Sequence, residues 1–331
     1  MSNADESAEE RLIARYFRPL ATVPGALRLA DDAAVIAPPP DSDIVVTTDG
    51  VIAGVHFFPD DPPGSIARKA LRMNLSDLAA KGAKPMGFVI SIALPVGTDA
   101  AFLAAFAAEL GEDAARYGCP LYGGDTDHTP GPLSVSITAF GTVPHGRMVQ
   151  RSTAKAGDRI IVTGTIGDAS LGVKLRRDRG LAKSWRLDEA MSVELERRYL
   201  LPKPRNALAE AVLQHATAAM DVSDGLAGDL GKLCRASSVA AEIDVSRVPL
   251  SAAARAALAA DPALIETVLT GGDDYEIVLT LAPEKFAALR TAAQAVGVSV
   301  AEIGEVKAGD GARFMHAGKT LAFTQPSYSH F

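Results

Sequence analysis

Six times along this 331-residue chain, an aspartate preceded by small or hydroxyl-bearing residues stands just after an apolar run or at a helix edge. The phrases are LADDAAV with Asp31 and Asp32, VTTDGV with Asp49, NLSDLAA with Asp77, GGDTD with Asp125 and Asp127, DVSDGL with Asp221 and Asp224, and GGDDYE with Asp273 and Asp274. Singly, each reads as a turn or a helix cap, because aspartate caps well and Asp-Gly or Gly-Gly reverses a chain. Together they constrain the fold, since turns need no shared spelling. Carboxylates carried from separate strand ends into one cleft raise each other's pKa and oppose folding unless cations neutralise them. Carboxylate and hydroxyl oxygens without accompanying histidine or cysteine suit magnesium, which is octahedral and shared with substrate phosphates. Thr47 and Thr48, beside Asp49, add a hydroxyl or carbonyl oxygen. The pattern predicts a magnesium-nucleotide site.

Hydrophobic periodicity between these phrases alternates between strand and helix. Ser7 and Glu10 form a capping box ahead of Leu12, Ile13, Tyr16 and Phe17, which share one face of a short helix. A strand is expected over 44–48, and a helix over 65–81 that sets Asn74 and Asp77 side by side. There follow a strand at 86–94, a helix at 99–117, a short strand ending at GGDTD and the alternating strand LSVSITAFGTV. A turn-rich basic stretch from Pro144 to Asp158 places a domain boundary near 150, giving domains 1–150 and 151–331. The second half repeats the mixture. Strands are expected at 159–163, 276–281 and 299–306, with a strand-helix-strand run ending at 244. Helices are expected near 168–178, 188–199, 204–217, 250–260 and 283–296. The fold class is α/β, of mixed α+β type, in two domains.

Composition excludes several functions. Forty acidic against thirty-three basic residues leave a net charge of -7, and without a basic run this disfavours a nucleic-acid partner. The stretch MGFVISIALPVG is well short of the roughly 20 residues a membrane helix requires, so no membrane partner is expected. The opening MSNADESAEE has no apolar core of a secretory signal. Cys119 and Cys234 form no C-x-x-C pair, which suits a reducing, cytoplasmic setting.

Neither a Walker sequence nor a protein-kinase catalytic loop is present. VTGTIGDASLG, residues 162–172, follows a strand and opens a helix, so its amides either receive an anion or simply make a turn. Arg151 is either a phosphate contact or a solvated charge, and His56 either a satisfied, partly buried histidine or a substrate contact.

In order, DDAAV, TTDGVIAGVHF, NLSDLAAKGAKP, GGDT, the Arg-Ser pair at 151–152, VTGTIGD, DVSDGL, GGDDYE and SYSHF resemble the thiamine-monophosphate kinase family over nearly the whole chain. That family sits in the superfamily of aminoimidazole ribonucleotide synthetase. The resemblance implies an N-terminal ATP- and magnesium-binding domain whose sheet joins its partner's in a barrel of a homodimer, and a C-terminal α/β domain that completes the active site. It implies ATP-dependent phosphorylation of thiamine monophosphate to thiamine diphosphate, with several magnesium ions. The implied metal ligands are Asp32, Thr47, Thr48, Asp49, Asp77, Asp125 and Asp221, with Asp224 for a further ion and Asp31 as an adjacent candidate. ATP contacts fall on Gly124, Asp125, Arg151 and Ser223, and thiamine phosphate contacts on His56, Asp273, Asp274 and Tyr328. Catalysis is then electrostatic, through Asp32, Asp49, Asp77, Asp125 and Asp221.

Two departures stand out. Ala30 replaces a usual glycine before Asp31, and Asp273 replaces a usual glutamate. A related dehydratase is expected to need a reactive C-terminal cysteine, where this chain has SYSHF, and a selenophosphate synthetase a reactive N-terminal one.

Overall fold

The Ser7 hydroxyl accepts the Glu10 amide, and the Glu10 carboxylate accepts the Ser7 amide, so the capping box launches α1 (Ala8–Leu12). The chain continues as a π-helical turn that buries Phe17. The computed structural model describes residues 7–327 and divides the chain into two units. One comprises the chain up to Leu78 together with Lys84–Gly146, and the other comprises Ala79–Ala83 and the chain from Arg147 onward.

The N-terminal unit contains β1 (Ser42–Ile52), α2 (Pro63–Ala80), β2 (Lys84–Pro95), α3 (Ala100–Tyr117), β3 (Leu121–Thr129) and β4 (Ser134–Pro144). The strands pair in the order β1-β4-β2-β3, antiparallel except for the parallel β2–β3 pair. Alternation sorts the faces: Val45, Val51, Phe88, Ile90, Ile92, Val135 and Ile137 are buried, while Ile44, Val46 and Ile52 stay exposed on edge strand β1. Ile66, Ala70, Leu71, Leu75 and Leu78 recur at three- and four-residue spacing and form the buried stripe of α2. Arg72 of α2 grips Asp113 of α3 through two hydrogen bonds of 2.6 and 2.9 Å, both side chains being buried. The strand expected to stop at GGDTD runs on to Thr129, because parallel pairing with β2 persists as far as Pro95 opposite Thr129.

The C-terminal unit contains β5 (Arg159–Thr163), α4 (Asp168–Arg177), α5 (Leu181–Ser184), α6 (Glu189–Leu200), α7 (Ala209–His215), β6 (Ala218–Val222), α8 (Leu226–Ser237) and β7 (Ala240–Asp244). It continues with α9 (Ala252–Ala260), α10 (Leu264–Thr270), β8 (Glu276–Leu281), α11 (Phe286–Ala295), β9 (Val300–Lys307), β10 (Gly311–His316) and β11 (Lys319–Thr320). The seven strands run β11-β10-β7-β9-β5-β8-β6. Successive residues of β5, β6 and β8 enter different cores: Ile160, Val162, Met220 and Val278 join one, and Ile161, Ala219, Ile277 and Leu279 the other. Both faces of this sheet are therefore covered, which is why β5, β6 and β8 read as continuous apolar runs. Short α10, β10 and β11 were outside the sequence expectation, because two to seven residues carry too little periodicity to register. Among the described residues, no helix is long and apolar enough to cross a membrane.

Candidate active site

In the N-terminal unit the acidic phrases form two groups. Asp31, Asp32, Gly123, Gly124, Asp125 and Thr126 line a cleft of about 380 Å³ whose apolar wall includes Ile13, Phe17 and Val89. The chain approaches this cleft through Leu27, Arg28 and Leu29 at φ 49°, 58° and 51°, all left-handed. Ala30 itself sits at φ -109°, so the alanine in place of glycine is accommodated without positive φ. Gly124 is required by contact: a Cβ there would lie 2.1 Å from the Ile90 carbonyl oxygen.

Thr47, Asp49 and Asp77 make the second group. The Thr47 hydroxyl donates to Asp77 Oδ2 at 2.6 Å, bridging β1 to α2, and Asp49 shares the Thr47 face of the strand. Thr48 faces the opposite side, where Thr138 donates to its hydroxyl and it donates to the Ile137 carbonyl. The pairing register sets these two groups apart within the N-terminal sheet. Asp49 pairs with Ile137, Ile137 with Ile90, and Ile90 with Gly124, so Asp49 lies three strands, roughly 14 Å, from β3. Asp125 pairs with exposed Ser91 and so takes the other face from Asp49. The Ile52 amide donates to His56 Nδ1 at 3.0 Å, leaving the ring proton on Nε2, and the buried Lys69 ammonium caps the His56 carbonyl at 2.9 Å.

In the C-terminal unit, DVSDGL and GGDDYE are brought together. The Asp273 amide donates to the Ser223 carbonyl and the Tyr275 amide to that of Val222, while a Cβ on Gly272 would meet the Ser223 oxygen at 2.4 Å. Asp221 is buried at the end of β6, and Arg151 is exposed. Asp224 is ion-paired with Lys232, which also reaches Asp229 at 2.7 Å. Burial lowers the Lys232 pKa, but the two carboxylates outweigh it and hold the ammonium above its ordinary value.

The two carboxylates of GGDDYE divide. Asp274 is 1% exposed and accepts the Gly167 amide at 2.7 Å, with Ala169 at 3.4 Å. The α4 N-terminus in VTGTIGDASLG thus receives a carboxylate of the protein itself, and the Asp274 side chain, expected to contact thiamine phosphate, is buried within the fold. Burial pushes the Asp274 carboxyl well above the usual range, against the pull of the Gly167 amide and Arg198. Asp273 is half-buried, at φ 72°, and accepts the hydroxyl of buried Tyr275 at 3.2 Å. Beneath it, fully buried Glu276 accepts from Arg198, Arg205 and Thr163. Tyr328 lies outside the described residues.

Sequence reasoning gave no role to Asp229, Lys232, Glu276, Arg198 or Arg205. Asp229 and Lys232, one helical turn apart just after DVSDGL, were a readable signal. The arginines offered none, because their partner lies more than seventy residues away.

All candidate donors are oxygens, which fits magnesium. They are not a closed cage: among the described residues, no three His, Cys, Asp or Glu side chains meet at metal-holding spacing. An ion that keeps its waters and takes one or two carboxylates plus substrate phosphates needs no such cage.

An acid-lined N-terminal sheet followed by a covered seven-stranded α/β sheet defines the class. Residues 30–143 match the AIR synthase related protein N-terminal domain, and residues 155–317 match its C-terminal domain. Within that class the chain belongs to the thiamine-monophosphate kinase family. It is 44% identical over 324 residues to the thiamine-monophosphate kinase of Caulobacter vibrioides, covering 96% of this chain and 89% of the relative. The crystal structure of the thiamine-monophosphate kinase from Stenotrophomonas maltophilia K279a is 36% identical with TM-score 0.83, over 97% of this chain and 99% of that one. AaThiL complexed with AMPPCP and TMP is 28% identical with TM-score 0.78, over 91% of each chain.

Proposed function

We propose that this protein transfers the γ-phosphoryl group of ATP to the phosphate of thiamine monophosphate, giving thiamine diphosphate and ADP. The observation that carries this reading is the 44% identity to a thiamine-monophosphate kinase along almost the entire chain.

The acceptor is a phosphate monoester with a second pKa of about 6, so near neutral pH its attacking oxygen is already largely ionised and no general base is required. The bond that forms joins that oxygen to the γ-phosphorus, and the bond that breaks joins the γ-phosphorus to the β-γ bridging oxygen, which leaves on ADP. The protein must align attacker, phosphorus and leaving oxygen and remove repulsion between two polyanions. Bound magnesium ions would neutralise phosphate charge, and Asp32, Thr47, Asp49, Asp77, Asp125 and Asp221 are the residues that would hold them.

Gly124 allows close backbone approach beside Asp125, and Ser223 presents a second polar turn for the nucleotide, with Arg151 exposed to meet phosphate. His56, protonated on Nε2, is a neutral donor toward thiamine monophosphate. Asp273, held by Tyr275, supplies the negative charge toward the cationic thiamine.

The exposed apolar residues Ile44, Val46 and Ile52 support a homodimer joined through the outer sheet face, which would cover an otherwise open edge. Asp125 lies on that same face, so a partner subunit would complete its surroundings. Two free, buried cysteines suit a cytoplasmic setting.

Purified protein with magnesium ATP and thiamine monophosphate should yield thiamine diphosphate and ADP, while free thiamine and aminoimidazole precursors should not react. ATP turnover without thiamine diphosphate would remove the assignment. Light scattering at twice the chain mass tests the dimer.

A further inference from the structure

The DVSDGL turn carries its own cation. Asp229, fully buried on the first turn of α8, accepts the Ser223 amide at 3.0 Å and the Asp224 amide at 2.9 Å through Oδ2. Its other oxygen, Oδ1, accepts from Lys232 Nζ at 2.7 Å, and the same ammonium reaches Asp224 Oδ2. The charge on buried Asp229 must be matched, so Lys232 is anchored from below and not free to swing away. An incoming divalent ion at Asp224 would have to displace that ammonium and strip Asp229 of its partner.

We propose that the Lys232 ammonium takes the position of a divalent ion at Asp224, so that in this chain Asp224 is not a metal ligand and the turn needs one ion fewer. The inference rests on the reading of DVSDGL as part of the magnesium-nucleotide site. It assigns Lys232 and Asp229 as positioning residues: Asp229 orders the Ser223–Asp224 backbone, and Lys232 neutralises both carboxylates.

The test counts bound Mn²⁺ by the loss of the free-ion electron paramagnetic resonance signal, using the full chain with a non-hydrolysable ATP analogue. Asp224→Asn should leave the count unchanged. Lys232→Gln should add one Mn²⁺ per chain, which the Lys232→Gln/Asp224→Asn double variant should lose again. Lys232→Arg, retaining the charge, should keep the original count. A count that falls by one in Asp224→Asn overturns the proposal, as does a folded Lys232→Gln that gains no ion. Should Lys232→Gln not fold, the Asp224→Asn arm decides alone. Asp221→Asn is the control for the underlying reading: if it lowers no Mn²⁺ uptake, the metal role of this motif fails while the Asp224 and Lys232 arms are still judged on their own results.

Discussion

Two neighbouring glycines should behave oppositely on substitution by alanine. At Gly124 a Cβ would sit 2.1 Å from the Ile90 carbonyl oxygen, more than an ångström short of the 3.4 Å at which ordinary contact begins. At Gly123 the nearest heavy atom is Val89 Cγ1 at 4.0 Å, and φ is not positive at either position. The obstacle at Gly124 is the backbone of neighbouring β2, so edge strand β3 has to move. Losing about two ladder hydrogen bonds at ~1 kcal/mol each, with an overpacking cost of ~1–3 kcal/mol, gives about 3–5 kcal/mol. The melting midpoint should fall on the order of 10 °C. Because Asp125 is the next residue, a displacement of about 1 Å should also cost roughly 100-fold in phosphoryl transfer. Gly123→Ala should stay within about 0.5 kcal/mol of the unaltered protein. The assays are thermal melting by circular dichroism and thiamine diphosphate formation. A Gly124→Ala protein that melts and turns over normally, or a Gly123→Ala protein equally damaged, would refute the register-based placement of this motif.

Arg72→Met leaves buried Asp113 with only Arg68, at 3.7 Å, and should cost about 3–5 kcal/mol in urea denaturation. Adding Asp113→Leu should recover most of that loss, and a double variant no better than the single would sink the buried-charge account. Burial raises the Asp274 pKa, so the folded chain keeps this proton to higher pH than the unfolded chain. Its contribution to stability is greatest below the unfolded carboxylate value of about 3.9 and is lost as pH rises through the folded value. Urea midpoints measured from about pH 4 to about pH 7 should therefore decline less steeply in Asp274→Asn, and identical slopes would contradict the assignment. Removal of divalent ions with a chelator should abolish thiamine diphosphate formation, and Mg²⁺ should restore it; turnover persisting in chelator would rule out the metal role of the aspartates.

Most helices and strands were legible because their causes are local. Ser7 and Glu10 form the expected capping box, and the buried stripe of α2 follows the spacing of Ile66, Ala70 and Leu78. The acidic phrases were legible too, since composition and neighbours define them. What sequence alone determined was thus the mixed α/β class, the run of elements and the oxygen-rich chemistry.

Only tertiary structure decided where those oxygens point. Adjacent Asp273 and Asp274 are spelled alike, yet one stays half-buried beside the Tyr275 hydroxyl while the other is fully buried and binds Gly167, 107 residues away along the chain. Asp49 and Asp125 both lie on strands, but strand order and pairing register put them on opposite sheet faces. Lys232 looks like an ordinary helical lysine until buried Asp229 and the Asp224 turn close around it. Backbone propensity acts over a few residues, whereas the facing of a carboxylate and the identity of its counter-charge are set by register and burial, which join segments distant in sequence.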